Sequence, residues 1–472
     1  MLDELIGGLR EGDDRPALAG RVTRGELATL THGYAVALRS AGLGAGDTVG
    51  LAVRPGARSL ATMLAAYHLG LRIAVLDPTA GPDVLAARLA LAAPRLILAD
   101  AAAQAVAGWL APLARRAHLA LPELGALAPV RTIGRRLPGS PPPLRPARGP
   151  FPAAFDGDGD AVIVFTSGTT SRPRAVVHTR RSLSAGMAAV HALVRPAPAV
   201  PVLGGTFFVL LPSLAGGAPV ALPARRGLSR QIRNLRPQAT YLTPPQLRAA
   251  VGAGVRFTGR VYSGSAPVSA ELLRAVRAAG AAEAWGVYAL TEVFPAAAVE
   301  SSEKSLFAGE GDLVGTLLPG VTASVSPTGE LLLSGPTAAD RYLGEDPFTE
   351  VATGDLGRVE DGKVILGGRL KDMILRRAEN IYPGLYEPSL HVPGVDLALL
   401  VGVPADDGDE RVIAVIQPAE NASEPAIREA LQIPLSRMGE AAPDALLFAR
   451  IPLSGRSRKP DRAATARLAA AT

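Results

Sequence analysis

Apolar residues in this 472-residue chain fall into two alternating patterns, helical stripes and short unbroken runs. Arg24 to Ala41 carries Leu27, Leu30, Tyr34 and Leu38 at three- and four-residue intervals, which predicts an amphipathic helix. The turn Gly42-Leu-Gly-Ala-Gly-Asp47 follows, and the run Thr48 to Val53 reads as a buried strand. The unit repeats. Leu60 to Leu69 reads as a helix and Leu71 to Pro78 as a strand, then Ala86 to Ala92 as a helix and Arg95 to Asp100 as a strand. Helix–strand units with apolar strands predict an α/β fold of parallel-rich sheets flanked by helices.

Residues 135–152 are proline-rich and basic, the composition of a surface connection. The helix–strand pattern resumes after Thr179 and continues to about Pro319. A β-rich stretch follows, with strands expected over Gly329–Gly335 and Gly362–Gly368. From Arg369 the chain reads as a smaller α+β unit, with strands over Leu397–Val403 and Arg411–Pro418 and a helix near Ala426–Leu431.

Charge and composition exclude several functions. The net charge is only +6 over the whole chain, aromatics are 4%, and no dense basic run carries interleaved aromatics, so a nucleic-acid groove is disfavoured. With no cysteine, disulfides, thiolate catalysis and cysteine metal sites are all excluded. The N-terminal stretch is acidic and amphipathic, unlike a secretory signal. No apolar run approaches the ~18–20 residues of a membrane span, so a cytoplasmic location without a span is expected.

One stretch cannot be core. Ala161 to Phe165 reads as a strand, and it opens into Thr166, Ser167, Thr169, Thr170 and Ser171 around Gly168, with Arg172 and Arg174 beyond. Crowded hydroxyl and N–H donors followed by positive charge suit a polyphosphate. An ordinary Ser/Thr/Gly turn is the plainer alternative. No Gly-Lys-Ser/Thr follows, so this is not the P-loop motif.

Residues 166–176, Thr-Ser-Gly-Thr-Thr-Ser-Arg-Pro-Arg-Ala-Val, resemble the phosphate-binding signature of the adenylate-forming superfamily, which includes acyl- and aryl-CoA synthetases. Ser171 and Ala175 stand where glycines are usual, and Arg174 replaces a lysine. Other segments are similar to that family in order: Tyr262–Pro267, Tyr288–Glu292, Ala352–Gly357, Gly368–Asp372, Ile374–Pro383 and Ile451–Arg462. The resemblance covers essentially the whole chain. It implies a large N-terminal domain, residues 1–368, with a β-rich subdomain, and a small mobile α+β C-terminal domain, residues 369–472, turning about Lys371.

The resemblance also implies the reaction: carboxylate and ATP give an acyl-adenylate and pyrophosphate, with Mg²⁺, and CoA then takes the acyl group as a thioester. Thr166, Ser167, Gly168, Thr169, Thr170 and Arg174 would hold the phosphates. Gly264, Ser265 and Ala266 would lie against adenine, with Tyr288 beside the nucleotide. Thr291 would meet the α-phosphate and Glu292 would hold the metal. Asp355 and Arg369 would bind ribose. Lys459 would swing in to meet the carboxylate, and Lys371 would be the hinge. Ala378 matches the glycine that lines the pantetheine tunnel.

In the segment Gly204 to Phe208, Phe207 and Phe208 suggest an apolar aryl or fatty acyl group, with Ala289 narrowing that pocket; alternatively these residues pack a strand. No aspartate is present there to hold an α-ammonium, which argues against an amino acid. Gly384-Leu-Tyr-Glu-Pro388 departs from the family's usual x-Glu-[Ile/Val]-Glu run, which leaves room for use of the adenylate without CoA. Transfer to an acyl carrier protein and β-lactone closure of a β-hydroxy acid are the two such alternatives. A degenerate nucleotide-binding regulator is an alternative of another class. The substituted phosphate loop implies slow or specialised adenylation.

Overall fold

The computed structural model describes all residues except 78–81, 102–103, 105–123, 125–127, 135–136, 139, 167–173, 377–378, 406–408 and 455–457. Two large mixed sheets organise the chain up to Arg369. The first has seven strands, in the order Arg341–Tyr342, Ala175–Thr179, Asp160–Phe165, Arg72–Val75, Thr48–Ala52, Leu96–Asp100 and Val130–Ile133. Its last five strands are parallel, while Ala175–Thr179 runs antiparallel to both of its neighbours, Asp160–Phe165 and Arg341–Tyr342. The five-residue strand Thr48–Ala52 is buried throughout, as a strand covered on both faces must be.

The second sheet has thirteen strands. Its central strands, including Ala239–Tyr241, Arg260–Gly264 and Glu283–Tyr288, are parallel. From Ala297–Glu300 onward the pairing turns antiparallel, through Asp312–Leu317, Lys363–Arg369, Val351–Glu360 and Glu330–Ser334. The β-rich stretch therefore begins about twenty residues before Pro319 and continues the same sheet.

Helices pack between the two sheets. Ala57–His68 is buried at every position from Ser59 to His68, the signature of a helix surrounded by protein. It shares one core with Val49, Leu51, Ile73 and Val162 of the first sheet and with Leu18 and Val220 of the second. Arg24–Ser40 starts with a capping box, in which Thr23 Oγ1 accepts from Glu26 N at 3.1 Å and Glu26 Oε2 accepts from Thr23 N at 2.8 Å. Residues 207–215 form a helix, not a strand, and bury Val209, Leu210, Leu211 and Leu214. An unbroken apolar run fits either state, and the core between the sheets selects the helix.

The proline-rich connection packs back onto the helices. Phe151 stacks on His68 with ring centroids 4.2 Å apart, and Phe155 N donates to His68 O at 2.8 Å.

Beyond Arg369 the chain makes one 3₁₀ turn, Leu370–Asp372, and then a three-stranded sheet of Val395–Pro404, Glu410–Pro418 and Ala445–Phe448. Helix Glu424–Ser436 sends Ile427 and Leu431 into one core with Leu400 and Ala414. Helix Arg462–Ala470 packs Ala466 and Ala469 on the opposite face. Among the described residues no helix is long and apolar enough to cross a membrane.

Gly315 sits at a register shift between Asp312–Leu317 and its neighbour, with φ +98°, and a Cβ there would collide with the Ala298 carbonyl oxygen. Gly315→Ala is expected to cost about 3 kcal/mol of stability, from left-handed strain and overpacking together. Urea unfolding of the variant against the parent checks this.

Candidate active site

The candidate phosphate loop grows from a closed neck. Strands Asp160–Phe165 and Ala175–Thr179 pair Phe165 with Ala175, and Thr166 N donates to Arg174 O at 3.0 Å. Ser167, Gly168, Thr169 and Thr170 lie outside the described residues. Arg174 lies at the neck, its guanidinium over the Tyr342 ring, 5.0 Å from the centroid.

A second segment faces this neck. Strand Glu283–Tyr288 ends at the carboxyl edge of the parallel strands, and Ala289–Pro295 leaves it as a loop; no helix starts there. Two backbone bonds shape the loop: Leu290 N to Val293 O and Ala296 N to Tyr288 O, each 2.9 Å. Glu292 is fastened at both ends. Its carbonyl accepts from Ala339 N at 2.7 Å, and its Oε1 accepts from the Tyr342 hydroxyl at 2.9 Å. Tyr342 in turn pairs with Val176 in the strand that leaves the phosphate loop.

Thr291 is held by a residue that the motifs did not single out. His178, fully buried in the same strand as Ala175, donates from Nε2 to Thr291 O at 2.8 Å. Its Nδ1 lies 3.3 Å from the Ser182 hydroxyl, which completes its hydrogen bonding with a neutral ring. Burial pushes its pKa down to about 4, opposed only by the Thr291 carbonyl. Phe294 packs edge-on against His178, and Phe208 lies 4.7 Å from Phe294, centroid to centroid. Phe208 thus braces the Thr291–Glu292 loop through Phe294. Phe207 packs partly buried against the core between the sheets, and Ala289 is exposed at the loop's start.

The third group is anchored by sheet register. Asp355 and Arg369 are direct cross-strand partners. Only 3% of Asp355 is exposed; its Oδ1 accepts from Arg369 Nε and its Oδ2 from the Tyr288 hydroxyl, at 2.6 and 2.7 Å. Burial and the adjacent carboxylate hold Tyr288 well above the ordinary tyrosine pKa, so it stays a donor. Lys459 reaches this cluster from the far end of the chain. Its ammonium pKa is lowered, first by desolvation and then by the like charges of Arg369 and Lys371, while Asp355 opposes the shift.

The turn that carries Lys371 is tied to the Lys459 segment by Arg462. That guanidinium meets Asp372 Oδ2 at 3.3 Å and Glu387 at 2.7 and 3.0 Å. Glu387 is the glutamate of the Gly384–Pro388 run, and its Oε1 also accepts from Leu400 N at 2.8 Å. Ala378 lies outside the described residues.

Gly264 ends strand Arg260–Gly264 so close to the next strand that a Cβ would lie 2.8 Å from Val287 O. Ser265 follows at φ +72°, a left-handed conformation held by a 2.9 Å contact between its hydroxyl and that of Tyr241. Together with Ala266 it forms an open ledge of small residues at the strand end.

These groups fit a nucleotide with a hard cation. Glu292 offers one carboxylate oxygen beyond the Tyr342 bond. Among the described residues no cluster of three or more ligating side chains exists, so a Mg²⁺ here would draw most of its oxygens from phosphate and water. His178 left one signal in the sequence, a single polar side chain in the buried run Ala-Val-Val-His. Tyr342 left none. Arg462 closes a recognised motif, but its residue type and position alone assign it no role.

The model of the AMP-binding enzyme family matches residues 9–343. The chain is 28% identical to the olefin beta-lactone synthetase of Stenotrophomonas maltophilia, over 86% of this chain and 83% of that protein. It is 27% identical to the sulfoacetate–CoA ligase of Cupriavidus necator, over 86% and 85% of the two chains. The solved structure of the amide bond synthetase McbA from Marinactinospora thermotolerans shares its fold, with a TM-score of 0.81 over 99% of this chain and 98% of that one, at 23% identity.

The neutral His178 makes a pH prediction. A histidine with a depressed folded pKa binds fewer protons folded than unfolded, so its contribution is lost as pH falls from 6.5 toward 4. At ~1.4 kcal/mol per unit the loss is about 3 kcal/mol. His178→Gln keeps a donor for Thr291 O but cannot titrate. Its urea-unfolding free energy is expected to fall less over this range than the parent's, by about that amount.

Proposed function

Because the chain belongs to the AMP-binding enzyme family, we propose the following reading of its site: it is an ATP-dependent ligase that activates a carboxylic acid as an acyl-adenylate, releases pyrophosphate, and passes the acyl group to CoA. The observation that carries the reading is the cluster of Tyr288, Asp355 and Arg369, which aims a buried carboxylate, with the Lys459 ammonium close enough to feel the charges of Asp355 and Arg369.

In this reading ATP lies with adenine on the Gly264–Ala266 ledge. Ribose hydroxyls take the free lone pairs of Asp355, a carboxylate already aimed by Tyr288 and Arg369. The β- and γ-phosphates lie along Thr166–Thr170 and Arg174. Thr291 offers its hydroxyl to the α-phosphate, held in register by His178. Glu292 holds Mg²⁺, which would neutralise phosphate charge.

Lys459 brings the substrate carboxylate to the α-phosphate and offsets the charge that builds during attack, the role of a positioned cation where two anions must meet. Pyrophosphate leaves as the carboxylate oxygen bonds to phosphorus. Residues 1–368 and 369–472 act as two domains, and rotation about Lys371 replaces Lys459 with the Ala378 loop for the second half-reaction. The acid is apolar, aryl or fatty, with Phe208 and Ala289 toward its pocket.

A second reading keeps the adenylate but omits CoA. It draws support from Leu385, which stands where the family's first glutamate is usual, and from the beta-lactone synthetase relative. The second glutamate of that run does not favour it, because Glu387 is retained and pairs with Arg462.

Lys459→Ala is expected to abolish acid-dependent pyrophosphate exchange while thermal stability and ATP binding stay near the parent's; unchanged exchange removes Lys459 from the mechanism. A carboxylic-acid panel in that assay, with products weighed by mass spectrometry with and without CoA, separates the two readings, since AMP without thioester selects the second. Lys371→Pro is expected to slow thioester formation more than adenylation, and an equal loss of both rejects the hinge.

A further inference from the structure

Arg174 and Glu292 carry opposite charges, both touch Tyr342, and form no ion pair with each other. What lies between them is Tyr342. Its hydroxyl donates to Glu292 Oε1 at 2.9 Å, while its ring carries the Arg174 guanidinium 5.0 Å from the centroid. We propose that Tyr342 is a positioning residue that keeps this cation and this carboxylate apart and aims both at one polyphosphate: Arg174 at its oxygens, Glu292 at the accompanying divalent cation. The inference rests on the adenylating function proposed above.

Four features make Tyr342 rigid enough for the task. Phe348 packs edge-on against its ring, at 90° and 4.9 Å between centroids. Its backbone pairs with Val176, and Leu343 N donates to Ala175 O at 2.8 Å. Arg341, the residue before it, reaches both carboxylate oxygens of Asp160 in the loop's first strand, at 3.1 and 2.9 Å. Ala339 N fixes the Glu292 backbone at 2.7 Å from the same segment. Burial and the Glu292 charge push the phenol up to about 12, so it remains a donor throughout the neutral range.

Without the spacer, a guanidinium and a carboxylate at one loop neck would close into a bidentate pair, and neither would be free for a ligand. The ring contact also suits arginine in place of the usual lysine at position 174. A guanidinium over a phenol ring has five N–H donors, so some remain for a further acceptor while the ring contact is kept.

The test is calorimetric binding of two ligands, the Mg²⁺ complex of α,β-methylene ATP, which cannot be adenylated from, and AMP, which lacks the β- and γ-phosphates. Tyr342→Phe keeps the ring and removes the hydroxyl. It is expected to weaken the Mg²⁺ complex about tenfold, the usual loss for a hydrogen bond to a charged group, and to leave AMP unchanged. Tyr342→Leu removes the stack as well and is expected to weaken the complex further. Arg174→Lys should weaken it in the parent and add nothing in the Tyr342→Leu background, a non-additivity that a space-filling role does not produce. Equal weakening of AMP, full additivity, or unchanged binding in Tyr342→Phe each overturns the proposal. If the parent protein binds neither ligand, the adenylating function itself fails, which is a distinct result.

Discussion

The site depends on one stitch between two sheets. The segment from Ala338 to Leu343 touches both: Ala338 bridges to Val293 beside the Thr291–Glu292 loop, and Arg341–Tyr342 adds an edge strand to Ala175–Thr179. Strand register is set in steps of one residue, and a slip by one would turn Tyr342 to the opposite face. Glu292 would then lose the Tyr342 hydroxyl and Arg174 its ring. Ion pairs of Asp160 with Arg341 and Arg72 fasten the same edge, each partly buried.

The charges at the site are arranged so that few cancel before a ligand arrives. Asp355 is nearly fully buried, yet each of its oxygens is aimed by a donor, Arg369 on the paired strand and Tyr288 at the end of a more distant strand of the same sheet. The cost of burying that carboxylate is offset by charge-assisted bonds to a guanidinium and a phenol. Among the described residues Lys459 has no such fixed partner, and burial first, then the neighbouring cations Arg369 and Lys371, keep its pKa below that of a free lysine. A lysine held among other cations gains more from an incoming anion than one already paired. Arg462 supplies the rigidity that Lys459 lacks, because it joins the segment just after Lys459 to both Asp372 and Glu387. Buried ion pairs of this kind add little net stability but fix geometry.

Much of the fold was readable before any coordinates. The helical spacing of Leu27 to Leu38 and the apolar run of Thr48 to Val53 became the helix Arg24–Ser40 and the strand Thr48–Ala52. The run from Phe207 was less readable, because continuous apolar residues carry no period. The same limit hid the start of the antiparallel strands: Ala297–Glu300 is short, small and buried, and resembles a parallel strand until its partner is known. At the site, motif residues such as Asp355 and Arg369 stand out by residue type and order, while His178 and Tyr342 do not, since their partners lie 113 and 50 residues away.

The sequence by itself determined the family resemblance, the helix–strand alternation and the chemical types gathered for nucleotide work. These are local properties: a period, a hydroxyl-rich turn, an acid after a glycine. Only the tertiary structure decided which groups meet. It placed Asp355 opposite Arg369 by strand register, joined Arg174 to Glu292 through Tyr342, and brought Lys459 to within the field of a cluster some ninety residues before it. The reason is physical. Contacts across sheets depend on pairing and packing between segments distant in the chain, and no local pattern encodes the partner.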